Sequence, residues 1–517
     1  EDSFNVETTS IRRTRVSMSF SRDPSLSYSA FTQACRAFKP SELIPAIAQA
    51  SASLGEPPYP DAVKHRMPPW GLAAAARDSL LYGNEYRSKV VDEEALRKLM
   101  HKFQIAMDID DADVGSEDFL VRLMTRVTYE QFPYQESMFE ELARSHAWMV
   151  EGLPDVETRV ITEDSLAAML DGVPFREAIG ATFFLQVGAF QNGGAYKPGW
   201  LDQPNFAEVL KLYPRRNIET IASRLTTTPA AFRTAFNDHS VGTATAARFD
   251  YNPLMATPFV DMGDGEPVAP ATRLIMRTVT PGGLYYAGMA KHGKAFADDL
   301  GGLFEHYIGR QLRLIEDAEV EPEIVFGKGG GHKSVDWFVI LPHLVILVEV
   351  KSRRLGPAAR AGDATLMNSL SETLGGARKQ LTRTVSHLAD NHPAFTHIPT
   401  DRPMLGLIVT AEPFYTGAAY LLDHDVAAIP GGRLPDVPVT AASAREVEWL
   451  VTHGKDVEPL LLAEMAKSAG GVVSLRDIGK KTDTENPILL NAWNAYPWPT
   501  RKGRGDGQSS ATPTGNG

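Results

Sequence analysis

Lys333 to Leu355 reads KSVDWFVILPHLVILVEVKSRRL. Two apolar runs, Val335–Leu341 and Leu344–Val350, each have the length of one buried β-strand. Pro342 and His343 lie between them, a connection short enough for a hairpin. Three polar groups interrupt the pattern: Asp336 in the first run, then Glu349 and Lys351 at the end of the second. Side chains two apart on a strand leave the same face, so Glu349 and Lys351 project together. The hairpin brings Asp336 beside them. An unpaired carboxylate inside so apolar a run is costly to bury, which argues that Asp336 has a use. Two carboxylates and one amine converging at a sheet edge suit a divalent cation with a positive side chain beside it.

Upstream, Lys294–Ile315 has helical apolar spacing at Phe296, Leu300, Leu303, Phe304, Tyr307, Ile308 and Leu312, and it carries Glu305. Glu323–Phe326 is expected as a first strand, followed by the turn Gly327-Lys328-Gly329-Gly330-Gly331. Downstream, Thr365–Ala389 is expected as a second helix and Met404–Thr410 as another buried strand.

Asp336 together with Glu349-Val350-Lys351 resembles the PD-(D/E)XK motif of the restriction-endonuclease-like nucleases. The order helix, three strands, helix, strand is also the core order of that family. The resemblance implies an α/β domain over residues 291–430, with a mixed central sheet flanked by helices. It implies catalytic roles for Asp336, Glu349 and Lys351, with Glu305 as the extra acidic residue of the first helix. Mg2+, with Mn2+ as a substitute, would be held by Asp336, Glu349, Glu305 and the backbone carbonyl of Val350. Gln380 matches a polar position that some members use near the substrate. The implied reaction is hydrolysis of phosphodiester bonds, with DNA the expected substrate and bacterial defence, restriction or repair the expected setting.

That chemistry answers a charge problem. The attacked phosphate is anionic, its transition state spreads more charge onto oxygen, and water is a poor nucleophile at neutral pH. A cation held by the carboxylates would supply charge neutralisation and activation of water. Lys351 would orient the attacking water and offset the developing charge. His332 is near enough in sequence to be a base, but a loop histidine is the expectation.

The whole chain of 517 residues carries a net charge of -12, so any nucleic-acid surface must be locally basic. From Lys351 to Arg383 there are seven basic residues against two acidic ones. Arg353, Arg354, Arg378 and Lys379, with Gln380, are the expected nucleic-acid contacts in that patch. The 43% hydrophobic and 22% charged fractions are those of an ordinary globular protein of several domains. The single cysteine, Cys35, excludes an internal disulfide framework and a cysteine-rich zinc site. No apolar run approaches membrane-spanning length and no secretory pattern opens the chain, so a cytoplasmic protein with no membrane partner is expected.

Residues 1–150 are expected to form a helical N-terminal domain behind a polar leading segment. The acidic stretch Asp108–Asp118 lacks the glycine that an EF-hand loop needs at its sixth position, so a capped connection between helices is expected there. Residues 151–246 form a helical middle region. Within it, residues 217–239 look like a helix-turn-helix: Thr228 caps a second helix with Pro229 at its first position, and Phe232 and Phe236 pack toward Ala222. Arg233 would then face a major groove. Residues 247–290 are expected as a small β connector, 431–500 as a C-terminal helical segment and 501–517 as a disordered tail. His392 and His397 are expected on a surface loop rather than in a metal site.

Two other classes of function compete with the nuclease. One is a nucleic-acid-binding protein that keeps the fold without turnover, against which the complete Asp336, Glu349, Lys351 set argues. The other is a transcriptional regulator that reads DNA through residues 217–239. In that case neutralising Arg233 abolishes binding and Lys351→Ala does nothing. The sequence contains no GxxxxGK[ST] phosphate loop, so an ATPase or regulatory partner would be a separate chain. Double-strand cutting by one site per chain would favour a homodimer.

Overall fold

The computed structural model describes residues 26–106, 118–242, 244–413, 437–467, 475 and 482–497. Among the described residues five strands form one mixed sheet in the spatial order β1 (Glu319–Pro322), β2 (Trp337–Ile340), β3 (Val345–Lys351), β4 (Met404–Thr410) and β5 (Val439–Ser443). The first two pairings are antiparallel and the last two parallel. The hairpin β2–β3 is the one expected from its two apolar runs. Strands β3 and β4 are buried on both faces, which is why they read as unbroken hydrophobic runs.

Helix α1 (Lys294–Leu312) covers one face, packing Phe304, Tyr307 and Ile308 into the core that holds Val339, Ile346 and Val348. Helix α2 (Gly376–Ala389) covers the other, where Ala377, Leu381 and Leu388 meet Phe338, Leu347 and Ile408. The expected helix over Thr365–Ala389 forms as one continuous run with a single widened turn inside it. A helix Thr365–Leu370 and a wide turn at Ser371–Gly375 precede α2, and the pair Gly375-Gly376 marks the junction. The architecture is therefore an α/β layer, a mixed sheet between helices, joined to mainly helical N-terminal and middle regions.

Two strand expectations need correction. The first sheet strand is Glu319–Pro322 rather than Glu323–Phe326. Val325–Phe326 instead pairs with His332–Lys333 as a separate small hairpin around the glycine turn. Strand β5 was not expected, because Val439–Ser443 reads VTAAS, too short and alanine-rich to signal a strand. Its last residue, Ser443, starts the next helix, Ala444–Leu450, through a capping box with Glu446.

The N-terminal helices build their own core around Phe31, Leu43, Leu72, Leu99 and Phe103. The middle region does not. Ile179 and Leu185 of the helix Phe175–Gln191, and Ile218 and Ile221 of the helix Arg215–Arg224, join the same core as the α1 face of the sheet. This division corrects the helix-turn-helix expectation. The helix Pro229–His239 is capped by Thr228 as expected, but its Phe232 packs into the N-terminal core against the helix Pro69–Tyr82. The two helices of the pair thus anchor in different cores, because each finds a larger apolar surface elsewhere than on the other. Arg233 is exposed on the second helix.

The expected β connector is only partly strand. Phe259–Val260 pairs with Thr226–Thr227, and Val260 bridges Val268 across the Asp264-Gly265 turn. The later part is helix, Leu274–Arg277 and Pro281–His292. Thr280 caps the second of these with Pro281 at its first position, a start signal that outweighs the glycines behind it. The acidic stretch at 108–117, the polar leading segment and the tail after residue 500 lie outside the described residues. Among the described residues no helix is long and apolar enough to cross a membrane.

Candidate functional site

A shift in strand register places Asp336. On β1 and β2, Pro322 faces Trp337; in the small hairpin, Val325 faces Lys333. Three steps along one strand thus oppose four along the other, so the Asp336 side carries one extra residue. This is a β-bulge, which breaks the ladder and re-aims the side chain at it. The groups it frees are taken up by α2. Gln380 Nε2 donates to the carbonyls of Lys333 (2.6 Å) and Ser334 (2.5 Å), and the Val335 N–H donates to Thr384 Oγ1 at 3.1 Å. Gln380 and Thr384 are one helical turn apart, so a single face of α2 clasps the three residues before Asp336.

The register also lines up the acids. Trp337 faces Val348 on β3, so one step further Asp336 lies across from Glu349. On the other side Glu323, one residue beyond the last paired position Pro322, lies near enough for its charge to raise Asp336. Asp336 Oδ2 accepts the Val350 N–H at 2.6 Å, locking the end of the hairpin. Glu349 Oε1 accepts from Lys351 Nζ at 2.5 Å, and Glu323 Oε2 accepts from Lys333 Nζ at 2.7 Å. Glu305 reaches the row from α1 beneath. There the indole N–H of Trp337 donates to the Glu305 carbonyl at 3.2 Å. One turn along, Gly309 lets that indole lie against the helix, since a Cβ there would come within 2.2 Å of the ring.

Glu349 is 4% exposed and its second oxygen, Oε2, has no hydrogen-bond partner. Burial first, then the neighbouring Asp336 carboxylate, pushes the Glu349 carboxyl up to about 8, against the pull of Lys351. Burial, then Asp336 and Glu323, pushes Glu305 up to about 7. Asp336 is also raised, by burial above all, although the Val350 N–H and Lys351 oppose it. With all four carboxyls ionised, two ammonium groups would leave a deficit of two positive charges, that of one divalent cation; without it, the raised Glu349 and Glu305 carboxyls relieve the deficit by keeping protons. The donors are hard oxygens of the kind Mg2+ and Mn2+ prefer, and the unpartnered Glu349 oxygen is a vacant acceptor among them. By that test the residues fit such a cation. The carboxylates are nonetheless spread: among the described residues no three Asp, Glu, His or Cys side chains are gathered at metal-holding distance. Holding a cation would require the row to draw together and Lys351 to turn from Glu349. Val350, expected to offer its carbonyl, contributes to the observed geometry through its N–H.

The expected basic patch divides. Arg353 is exposed and pairs with Glu372 at 2.5 Å, and Lys379 is exposed on α2. Arg354 is turned inward. Its Nη1 donates to Glu412 at 3.1 Å, alongside Arg360 Nη2 at 2.6 Å, and its guanidinium lies near the Tyr285 ring. Arg378 is 4% exposed, so it too is not a surface contact in this conformation. Gln380 is occupied in the clasp. Two of the expected phosphate contacts are thus corrected: the sequence run is basic, but helix periodicity and the buried Glu412 draw Arg378 and Arg354 inside. Glu323, Lys333 and Thr384 were not singled out from sequence. Glu323 looks like Glu319 and Glu321, three acids alternating on a solvated edge, and only the register distinguishes it. No protein-family model matches the chain, and no curated protein matches it in sequence.

Proposed function

We propose that this chain is a divalent-cation-dependent nuclease that hydrolyses phosphodiester bonds, with DNA as the expected substrate. The observation that carries the proposal is the row Glu323–Asp336–Glu349, short of positive charge, with a buried Glu349 oxygen left without a partner beside Lys351. A protein using these acids only for structure would pair that oxygen or replace the residue. The motif resemblance to the PD-(D/E)XK nucleases supports the same assignment, and Mg2+ or Mn2+ bound at the row would supply charge neutralisation for the phosphate.

The protein's own groups then have distinct tasks. Asp336, Glu349 and Glu305 would hold the cation, which would supply charge neutralisation at the phosphate. Lys351, part-exposed beside Glu349, hydrogen-bonds the incoming water and the phosphate oxygen on which charge develops. Water oxygen forms the new bond to phosphorus, one P–O ester bond breaks, and the water proton passes to a carboxylate or to solvent. The Gln380–Thr384 clasp keeps Asp336 from shifting during these changes.

The test is incubation of the purified chain with supercoiled plasmid in Mg2+ or Mn2+, with EDTA and Lys351→Ala as controls. Metal-dependent cutting that disappears in the variant is expected. Cutting that survives Lys351→Ala would overturn the site.

A further inference from the structure

The small hairpin formed by Val325–Phe326 and His332–Lys333 is not needed to complete the sheet, yet it is built with care. All residues from 327 to 333 are exposed, and Lys328 is the one side chain longer than hydrogen between Gly327 and Gly331. Gly327, Gly329 and Gly330 have φ of 83°, 70° and 70°, a region where other residues are strained. A Cβ at Gly329 would meet nothing, so the loop surface is open. Such a loop lets a bulky polyanion approach the main chain closely.

At its base the hairpin is fastened to both the acid row and α2. Lys333 is 65% exposed and its ammonium pairs with Glu323, the outer member of the row. The Lys333 carbonyl is held by Gln380, whose Oε1 in turn accepts from Arg383 Nη1 at 3.4 Å. Arg383 is exposed and shares a helix face with the exposed Lys379, four residues earlier. Lys328, Lys333, Arg383 and Lys379 thus occupy joined elements that converge on one edge of the carboxylate row. In a chain of net charge -12 this local concentration stands out.

We propose that this hairpin and the Lys379–Arg383 face of α2 form a track for the phosphodiester backbone of a nucleic acid, in which Lys333 holds the phosphate next to the one attacked. The assignment rests on the nuclease proposal for the source of the ligand. In the free protein Glu323 neutralises Lys333. When substrate is seated, the ammonium passes to a phosphate oxygen, and Glu323, freed of Lys333, would be available to a cation at the row. Lys333 is thereby a substrate-binding residue, and Glu323 couples occupancy of the track to the charge of the site.

The experiment is fluorescence anisotropy of a labelled DNA duplex, repeated with an RNA duplex, in Ca2+ over a range of salt. Wild type is compared with Lys328→Ala/Lys333→Ala/Arg383→Ala. A charge-matched control, Lys64→Ala/Lys98→Ala/Lys211→Ala, changes exposed lysines of the N-terminal and middle regions. Circular dichroism checks that both variants fold. The track predicts at least tenfold weaker binding of the first variant. The slope of log affinity against log salt should be shallower by about 2 to 3, and the control should behave as wild type. Unchanged affinity and slope, or an equal loss in the control, would overturn the track. If wild type cuts plasmid in Mg2+ while the first variant binds normally, the track alone fails. If wild type neither binds nor cuts, the nuclease fails with it.

Discussion

Glu349 and Glu412 lie at the ends of neighbouring strands and are equally buried, with side chains 5% exposed in both, yet they are opposites. Glu412 accepts from Arg354, Arg360, the Tyr129 hydroxyl and the Leu355 N–H. Burial disfavours its charge, but Arg360, Arg354 and Tyr129 more than offset it and hold the carboxyl below the ordinary glutamate value. Glu349 has one lysine, a neighbouring carboxylate and an unpartnered oxygen, and its carboxyl is raised to about 8. One acid is a knot tying the loop after β3 to the N-terminal helix Phe119–Gln131. In the proposed nuclease the other would take its charge from a bound cation. Burial alone does not distinguish a structural from a functional carboxylate; the count of its partners does.

The contrast can be broken by substitution. Glu349→Gln should lower metal-dependent cutting roughly a thousandfold, by removing a ligand and the acid beside Lys351. The same change should leave the metal-free protein as stable as wild type or more so, measured by urea unfolding. Glu412→Ala should do the reverse. It strands Arg354 and Arg360, and should destabilise the fold by about 3–5 kcal/mol. If Glu349→Gln proves the more damaging to stability, the distinction is wrong.

pH should act on the two with opposite sign. A carboxyl raised by folding binds its proton more tightly in the native state, so its contribution is fully present below the unfolded value and is lost as pH rises. For Glu349 the window runs from the ordinary 4.5 to about 8, and for Glu305 from 4.5 to about 7. Metal-free protein should therefore lose stability as pH rises through these windows, and Glu349→Gln should flatten the loss. Glu412, lowered by folding, contributes stability above the ordinary value that is lost as pH falls below it. Denaturant melts at several pH values in EDTA would resolve both limbs.

Smaller effects are expected at the clasp. Thr384→Val leaves the Val335 N–H without its acceptor and should cost about 1–3 kcal/mol. It should also reduce cutting more than its loss of stability accounts for, because Asp336 is no longer held. A fall in stability with activity per folded molecule unchanged would make Thr384 structural only.

The central hairpin, α1, β4 and the meeting of Asp336, Glu349 and Lys351 at one end of the hairpin were legible in sequence because strong apolar periodicity and rare polar exceptions coincide there. The place of Glu323 beside Asp336 was not, because it comes from a bulge that no local pattern announces. The inward turn of Arg354 was hidden for a related reason: sequence gives the sign of a charge but not the buried partner, here Glu412, that claims it, while Arg378 is turned inside by its place on the buried face of α2. The separate anchoring of the helices on either side of Thr226–Thr227 depended on which core each apolar face reached, a long-range competition that propensity does not record.

The most direct test of the charge deficit is calorimetric titration of Mn2+ into the metal-free protein at pH 6.5 and 8, in two buffers of different ionisation enthalpy. The account predicts saturable binding that releases protons, tightens at the higher pH and disappears in Glu349→Gln. Heats of dilution alone for wild type, or equal binding by Glu349→Gln, would contradict it.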